Sequence, residues 1–289
     1  MMLELKEQLR CDIVMGNQEE RMRIKFCFII TALIFLLIPN LMPAHDLWLV
    51  PEKYIISPGQ PVTIFANTGM DFPKSLNAVL PGRVSRSVLV GKSGEETLTG
   101  LAVKGKSLIA GCTIKNPGTY VAAISIHPKE IKLKAKEFNE YLLHDGLSAV
   151  YKLREKEGIL DKDAVEYYSK YAKTIIQSGD TQDDTPTRPL HLPIEIVPAV
   201  NPYKLKRGDS LKVAVLFKGK PLPGAELAWS FPGMGEKFAG TTKTGNNGNA
   251  NIPLTRSGPY VIRLTHMEWV KKKTHEWESF WASLTFEVK

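Results

Sequence analysis

Segments in which hydrophobic and polar residues alternate with a period of two recur along this chain. They are rich in β-branched and aromatic residues and are bounded by Gly and Pro, which is typical of strands. They fill residues 45–127 and return in residues 190–289. The last of them, residues 277–288, predicts a closing edge strand with a buried apolar face. Two such regions predict two immunoglobulin-like β-sandwich domains.

Residues 128–179 have a different pattern, in which apolar residues recur every three or four positions. This spacing predicts helices with one apolar stripe. The stripe of the first helix contains Phe138, Tyr141 and Leu142. A second helix is predicted to begin at Asp161 and to end at Gly179. Residues 180–189 are polar and contain proline, which predicts a linker. The expected fold class is therefore mainly β, with a helical insertion between two sandwiches.

The two β regions contain similar closing segments. Residues 116–127 read NPGTYVAAISIH, and residues 256–266 read RSGPYVIRLTH. Each runs from a glycine through Tyr-Val to a histidine, which is His127 in the first segment and His266 in the second. This similarity predicts that the two regions are related units.

The N-terminal segment has the pattern of a secretory signal peptide. Basic residues precede an apolar run at residues 26–38, and the breaker-rich sequence PNLMPA follows. Cleavage is predicted after Ala44, which would remove residues 1–44 and give a periplasmic or secreted protein with no stable membrane insertion. Met22 offers a later start, which would make residues 1–21 an upstream extension. An uncleaved N-terminal anchor is the alternative.

Composition and charge narrow the function classes. The chain is 43% hydrophobic and 24% charged, as folded proteins are, and its net charge is +8. The basic residues are scattered and form no nucleic-acid-binding motif, so no nucleic acid is expected as a partner. Only Cys112 lies outside the predicted signal peptide, which excludes an intramolecular disulfide in the mature chain. The sequence contains no Gly-x-Ser-x-Gly elbow, phosphate loop or His-Glu-x-x-His motif, so no enzyme class is indicated.

Cleavage after Ala44 would make His45 the first residue of the mature protein. A terminal histidine offers its α-amine and its imidazole Nδ1 to one ion, and imidazole suits nickel, copper, zinc and iron. Strand alternation puts His266 at the end of an apolar face, where it could meet a second ligand. Asp71, in the sequence TGMDFP, is a third candidate. The predicted metal ligands are therefore His45, His266 and Asp71, and the other histidines are interpreted as surface or junction residues.

Several segments together resemble a family of secreted bacterial proteins of unknown function that is labelled NikM-like. They are AHDLWLVP, ANTGMDFP, KEFNEYLLHDGL, YYSKYAKTII, LHLPIEIVPAVNPYKL, KGKPLPGAELAW and WESFWASLTFEV, in this order along nearly the whole mature chain. The resemblance implies an exported protein that binds a transition metal, with nickel or cobalt favoured and copper possible, and that serves an inner-membrane metal transporter. The family's Ala-His start corresponds to Ala44-His45. The C-terminal region also resembles a carboxypeptidase-regulatory-like or big-immunoglobulin-like module, which implies a fold and no activity.

Two other functions are compatible with the sequence. An N-terminal histidine on a β-sandwich resembles the histidine brace of lytic polysaccharide monooxygenases, which would make the protein a copper oxidoreductase. A metal-free module that binds protein or glycan is the second alternative. It predicts no change in melting temperature when metal is added.

Overall fold

The computed structural model describes residues 45–289, and the predicted signal peptide lies outside the described residues. Eighteen strands and two helices cover this range. The first ten strands are β1 Asp46–Pro51, β2 Ile55–Ile56, β3 Pro61–Gly69, β4 Asn77–Ala78, β5 Val84–Gly91, β6 Gly94–Thr97, β7 Thr99–Lys104, β8 Ser107–Thr113, β9 Gly118–Leu133 and β10 Ala164–Ser178. The others are β11 Ile194–Pro198, β12 Ser210–Phe217, β13 Lys220–Pro221, β14 Glu226–Ser230, β15 Gly240–Lys243, β16 Asn249–Pro253, β17 Gly258–Trp269 and β18 Trp277–Val288. The helices are α1 Ala135–His144 and α2 Ser148–Lys156.

The strands of residues 45–289 form three sheets. The N-terminal sheet has the order β1-β3-β8-β7, with β4 beside β3. The central sheet has the order β15-β14-β17-β18-β10-β9-β5-β6, with β2 beside β10. The C-terminal sheet has the order β11-β12-β13, with β16 beside β12.

The inner strands of the central sheet are buried on both faces. In β9, Ala122 and Ile124 pack against the N-terminal sheet, whereas Val121 and Ala123 belong to the core formed with the C-terminal sheet. Successive residues of a strand point to opposite faces, so one strand can contribute to two cores. The structure thus consists of two immunoglobulin-like β-sandwiches with a helical insertion, as predicted, but the two sandwiches share one sheet.

This shared sheet joins the predicted domains. Strand β10 pairs in parallel with β18, from Glu166 opposite Trp277 to Thr174 opposite Thr285. Strand β18 is therefore an interior strand, and the prediction of a closing edge strand is wrong, although its apolar face is buried as expected.

The predicted linker, residues 180–189, is ordered, since Asp183 accepts a hydrogen bond from the Thr119 amide.

The prediction of a second helix over residues 161–178 is wrong, because residues 164–178 form strand β10. This strand pairs with β9 along its whole length and with β18 on its other side. Its side chains are buried on both faces, so its apolar positions have no clean period of two and also fit a helical stripe. Gly179, with φ +60°, ends a strand instead of a helix.

The helical insertion is limited to α1 and α2, and the strands on either side extend into the range predicted to be helical. Phe138, Tyr141 and Leu142 form a buried stripe, as predicted. They pack with Trp277 and Trp281 of β18 in a third cluster of the core. Neither helix within residues 45–289 has the length and apolarity needed to cross a membrane.

The two similar segments occupy equivalent positions in the structure. The Tyr120 hydroxyl donates a hydrogen bond to the Asn116 carbonyl, and the Tyr260 hydroxyl accepts one from the Arg256 amide. In both cases the partner lies four residues upstream. Tyr120 faces the N-terminal sheet and Tyr260 the C-terminal sheet, so the two hairpins, β9–β10 and β17–β18, use opposite faces of the central sheet.

A buried ion pair connects the C-terminal sheet to the hairpin of the first half. Lys173 of β10 lies 3.0 Å from the Glu195 carboxylate on β11, and both side chains are at most 2% exposed. Glu195 also accepts a hydrogen bond from the Leu190 amide. Removing one partner of such a pair leaves an uncompensated buried charge.

We therefore expect Lys173→Met to lower the free energy of unfolding by about 3–5 kcal/mol. The double variant Lys173→Met/Glu195→Leu should recover most of this loss, because it removes both charges. The measurement is urea denaturation of the mature chain. Lys136→Met, which removes an exposed lysine 3.9 Å from Glu140, is the matched control and should change stability by less than about 0.5 kcal/mol. A loss of stability of similar size in Lys173→Met and Lys136→Met would contradict the assignment of a buried ion pair.

Candidate functional site

The three predicted ligands do not meet in the structure. His45 lies just before β1 and is partly buried. His266 of β17 packs on Phe217 of β12, with ring centroids 4.4 Å apart. It shares the C-terminal-sheet face with Tyr260, as predicted, and β1 packs on the opposite face. Within residues 45–289, no three His, Cys, Asp or Glu side chains are arranged to hold a metal ion.

Asp71 lies near the start of β1 but is engaged elsewhere. Strands β1 and β3 pair with Asp46 opposite Gly69, so the chain after β3 passes beside His45. The Asp71 carboxylate forms an ion pair with Lys74 at 2.7 Å. The predicted set of His45, His266 and Asp71 is thus not assembled. The interpretation of His275 as a surface residue is also wrong, since it is buried against Tyr167.

A triad of buried charges lies next to His45. The Arg263 Nε group donates to both carboxylate oxygens of Asp46, at 2.9 and 2.8 Å. The other end of the same guanidinium donates to Asp145, in the loop after α1. All three side chains are at most 10% exposed. The Asp46–Arg263–Asp145 triad therefore joins the first strand, the helical insertion and the central sheet at one point.

The two carboxyl groups of the triad have different electrostatic surroundings. Burial raises the pKa of Asp46, and the Asp145 charge adds to this against the opposing effect of Arg263. Burial also pushes the pKa of Asp145 upward, but Arg263 and the hydrogen bond with His144 outweigh it, so that this pKa is lowered. The pKa of Arg263 is raised, because the two carboxylates outweigh its burial. The guanidinium is thus a permanent charge.

Lys170 of β10 fixes the backbone of His45. Its buried ammonium group donates a hydrogen bond to the His45 carbonyl and lies 5.1 and 5.0 Å from the ring centroids of Tyr168 and Trp281. Burial lowers the pKa of Lys170 to about 8, against the raising effect of Asp46, Asp145 and Glu166. A buried ammonium group needs such partners to remain charged.

Glu166 is a further buried acid at the base of this cluster. One oxygen accepts hydrogen bonds from Ser279 and from the Tyr141 hydroxyl, and the other has no hydrogen-bond partner within the described residues. Burial raises the pKa of Glu166 to about 7, although both hydrogen bonds oppose this. The group is therefore poised to change protonation near neutral pH.

The triad forms the wall of a small pocket, which we call the N-terminal pocket. Its lining residues are Asp46, Met70, His144, Asp145, Glu236, Phe238 and Arg263. The pKa of His45 is lowered by burial and by Lys170, whereas the nearby Glu236 raises it. The pKa of His144 is raised by its hydrogen bond with Asp145. The His144 imidazole and the exposed Glu236 carboxylate thus line this pocket, and Glu236 also acts electrostatically on His45.

Sequence reasoning missed His144, Asp145, Arg263 and Lys170. One signal could have indicated the first two, because the dipeptide His-Asp occurs twice, at residues 45–46 and 144–145. Both aspartates meet the same arginine in the structure. Arg263 lies between apolar residues of a strand, where a charge needs a buried partner.

The chain belongs to the family described as a domain of unknown function, DUF4198, which it matches over residues 42–268. No curated protein matches the chain. Among solved structures, it is similar to the D0-D1 domain of intimin, with 13% identity, a TM-score of 0.22, and coverage of 82% of this chain and 96% of that one. It is also similar to murine CEACAM1b, with 11% identity, a TM-score of 0.21, and coverage of 84% and 99%. Salmonella α-2-macroglobulin reacted with methylamine gives 9% identity, a TM-score of 0.24, and coverage of 83% and 15%. Similarity at these TM-scores carries no functional information.

The raised pKa of Glu166 predicts a pH dependence of stability. Between about pH 4.5 and 7, Glu166 holds a proton in the folded protein that it has lost in the unfolded chain. The contribution of Glu166 to the free energy of unfolding is therefore full below this window and disappears as the pH rises through 7. We expect Glu166→Gln to lose less free energy of unfolding than the unmodified protein between about pH 5 and about pH 8. Urea denaturation across this range measures it, with exposed Glu155→Gln as the control. Parallel profiles for Glu166→Gln and the unmodified protein would refute the assignment.

Proposed function

We propose that the protein is an exported transition-metal-binding protein, with nickel or cobalt favoured, and that it binds the ion through the α-amine and the imidazole Nδ1 of the mature N-terminal residue, His45. The two nitrogens belong to one residue and close a six-membered chelate ring with the ion. Imidazole and amine nitrogens suit divalent ions late in the first transition series, including copper. The resemblance to NikM-like proteins supports an accessory role for an inner-membrane metal transporter.

The observation that carries this proposal is the way the chain is fixed around His45. Lys170 binds its carbonyl, and Arg263 binds the next side chain, Asp46. The backbone is thus fixed on the C-terminal side of His45, by contacts that involve neither its amine nor its ring. A terminal residue held in this way loses less conformational freedom when it binds an ion than a terminus with no contacts would lose.

The charges around His45 fit the protonation state that a metal ligand needs. A ligand imidazole must be neutral and a ligand amine must be deprotonated, so binding weakens as the pH falls. Burial and Lys170 lower the pKa of His45, so its ring stays neutral at a lower pH than an exposed histidine would. In this proposal the C-terminal sandwich, which resembles a carboxypeptidase-regulatory-like module, is the scaffold that holds Arg263.

Two variants test the role of the terminus. Adding one glycine before His45 removes the chelate but keeps every side chain, and His45→Ala removes the imidazole. We expect each to weaken nickel binding by about 100-fold or more, since even residues that only support a ligand contribute 10–100-fold. The measurement is calorimetric titration of mature protein that begins at His45.

The control for these variants is His127→Ala, which removes an exposed histidine on β9. It should leave the affinity unchanged. Equal nickel affinity in the unmodified protein, the extended protein and His45→Ala would refute the proposal. Absence of binding to the unmodified mature protein would refute it as well.

A further inference from the structure

We propose that His144 is the second imidazole ligand of the metal site at His45, and that Glu236 completes the site at the mouth of the N-terminal pocket. This inference rests on the proposed function and names the residues that the sequence did not identify. In this site, His144 and Glu236 take the place of two ligands predicted from the sequence. These are His266, which lies on the opposite face of the central sheet, and Asp71, which is paired with Lys74.

The first reason is the position of the two histidines relative to Arg263. One guanidinium binds Asp46 and Asp145 at the same time. His45 immediately precedes the first aspartate, and His144 immediately precedes the second. Because the three charged side chains are buried, the triad holds both His-Asp dipeptides rigidly at one place, although they are about a hundred residues apart in the sequence.

The second reason is the orientation of the His144 ring. Its Nδ1 lies 3.4 Å from the Asp145 carboxylate, which is itself bound to Arg263. This leaves Nε2 available for a ligand, and the side chain is 48% exposed. Histidines that bind metals commonly have a carboxylate on the other ring nitrogen, which fixes the tautomer and the ring orientation. Asp145 is thus a positioning residue for His144.

The third reason is the charge of the pocket and the place of Glu236. Three carboxylates, from Asp46, Asp145 and Glu236, line the N-terminal pocket against the single guanidinium of Arg263. Even when the Lys170 ammonium beside His45 is counted, these carboxylates outnumber the cationic side chains, and this excess of negative charge favours a cation. Glu236 is exposed, lies in this pocket together with His144, and acts electrostatically on His45. It therefore connects the surroundings of the two histidines.

The site needs only a local movement to form. The side chains of residues 45–289 do not hold three ligands in place, and the α-amine becomes a ligand only after cleavage. The His45 carbonyl is fixed by Lys170, but rotation about ψ of a terminal residue moves its amine and its ring, and rotation about χ1 moves the ring, without moving β1. Two imidazoles and the amine would then supply three nitrogens to one ion.

The experiment compares mature protein starting at His45 with His144→Ala and His144→Gln, and uses His127→Ala and His266→Ala as matched controls. Nickel affinity is measured by titration against a competing chelator. We expect both His144 variants to bind nickel about 100-fold more weakly, with Glu236→Gln about 10-fold weaker, and both controls to bind as the unmodified protein does. The circular dichroism of each variant establishes that it is folded.

A spectroscopic measurement on the unmodified protein keeps the test independent of folding. The nitrogen hyperfine structure in the electron paramagnetic resonance spectrum of the copper(II) form should report three nitrogens, and two in His144→Gln. Binding by the unmodified protein with two nitrogens, or with equal affinity in the His144 variants, would overturn the role of His144 and leave the terminal site standing. Absence of any binding would overturn the terminal site and this inference together.

Discussion

The geometry around the start of the mature chain depends on the ion triad formed by Asp46, Arg263 and Asp145. Taking charges out of water is expensive, and well-packed hydrophobic residues often replace buried ion pairs with no loss of stability. The triad is therefore poorly explained as a source of stability alone. It does fix the relative positions of three elements that are distant in sequence: the first strand, the loop after α1 and strand β17. Apolar contacts would hold these elements together, but they would specify their positions less exactly in register and rotation.

A second buried ion pair has an equivalent place in the other half. Asp46 on β1 connects the N-terminal sheet to the β17–β18 hairpin, and Glu195 on β11 connects the C-terminal sheet to the β9–β10 hairpin. The first strand of each half, β1 or β11, is thus bound to the hairpin of the other half. Because β10 and β18 are adjacent in the central sheet, the two links are connected through neighbouring strands, although they lie on opposite faces of that sheet. The two halves therefore form one structural unit.

Sequence patterns predicted the parts of the fold in which one face is mainly apolar and the other carries polar residues. The alternation in residues 260–266 correctly placed His266 on the apolar face, and the stripe of α1 was correct. Strand β10 could not be recognised in this way, because it is covered on both faces and flanked by strands on both sides. The neighbour of an inner strand is determined by tertiary structure, which no local pattern contains.

The candidate site was predictable only in part, for a related reason. His45 stands out because of the predicted cleavage site, which is a local feature of the sequence. His144 acquires its significance from Asp145, and Asp145 from an arginine more than a hundred residues away. The repeated His-Asp dipeptide becomes informative only when one guanidinium is seen to bind both aspartates.

The two buried ion pairs differ in their surroundings. The link between Lys173 and Glu195 is closed, since both side chains are buried and the carboxylate is also satisfied by the Leu190 amide. The link at Asp46 includes a second carboxylate, lies beside Lys170 and borders a pocket that reaches the surface through His144. A link that served only to hold the halves together would need none of these additions. At the N-terminal link the buried charges thus border a pocket, and this is the place that the proposed metal site would use.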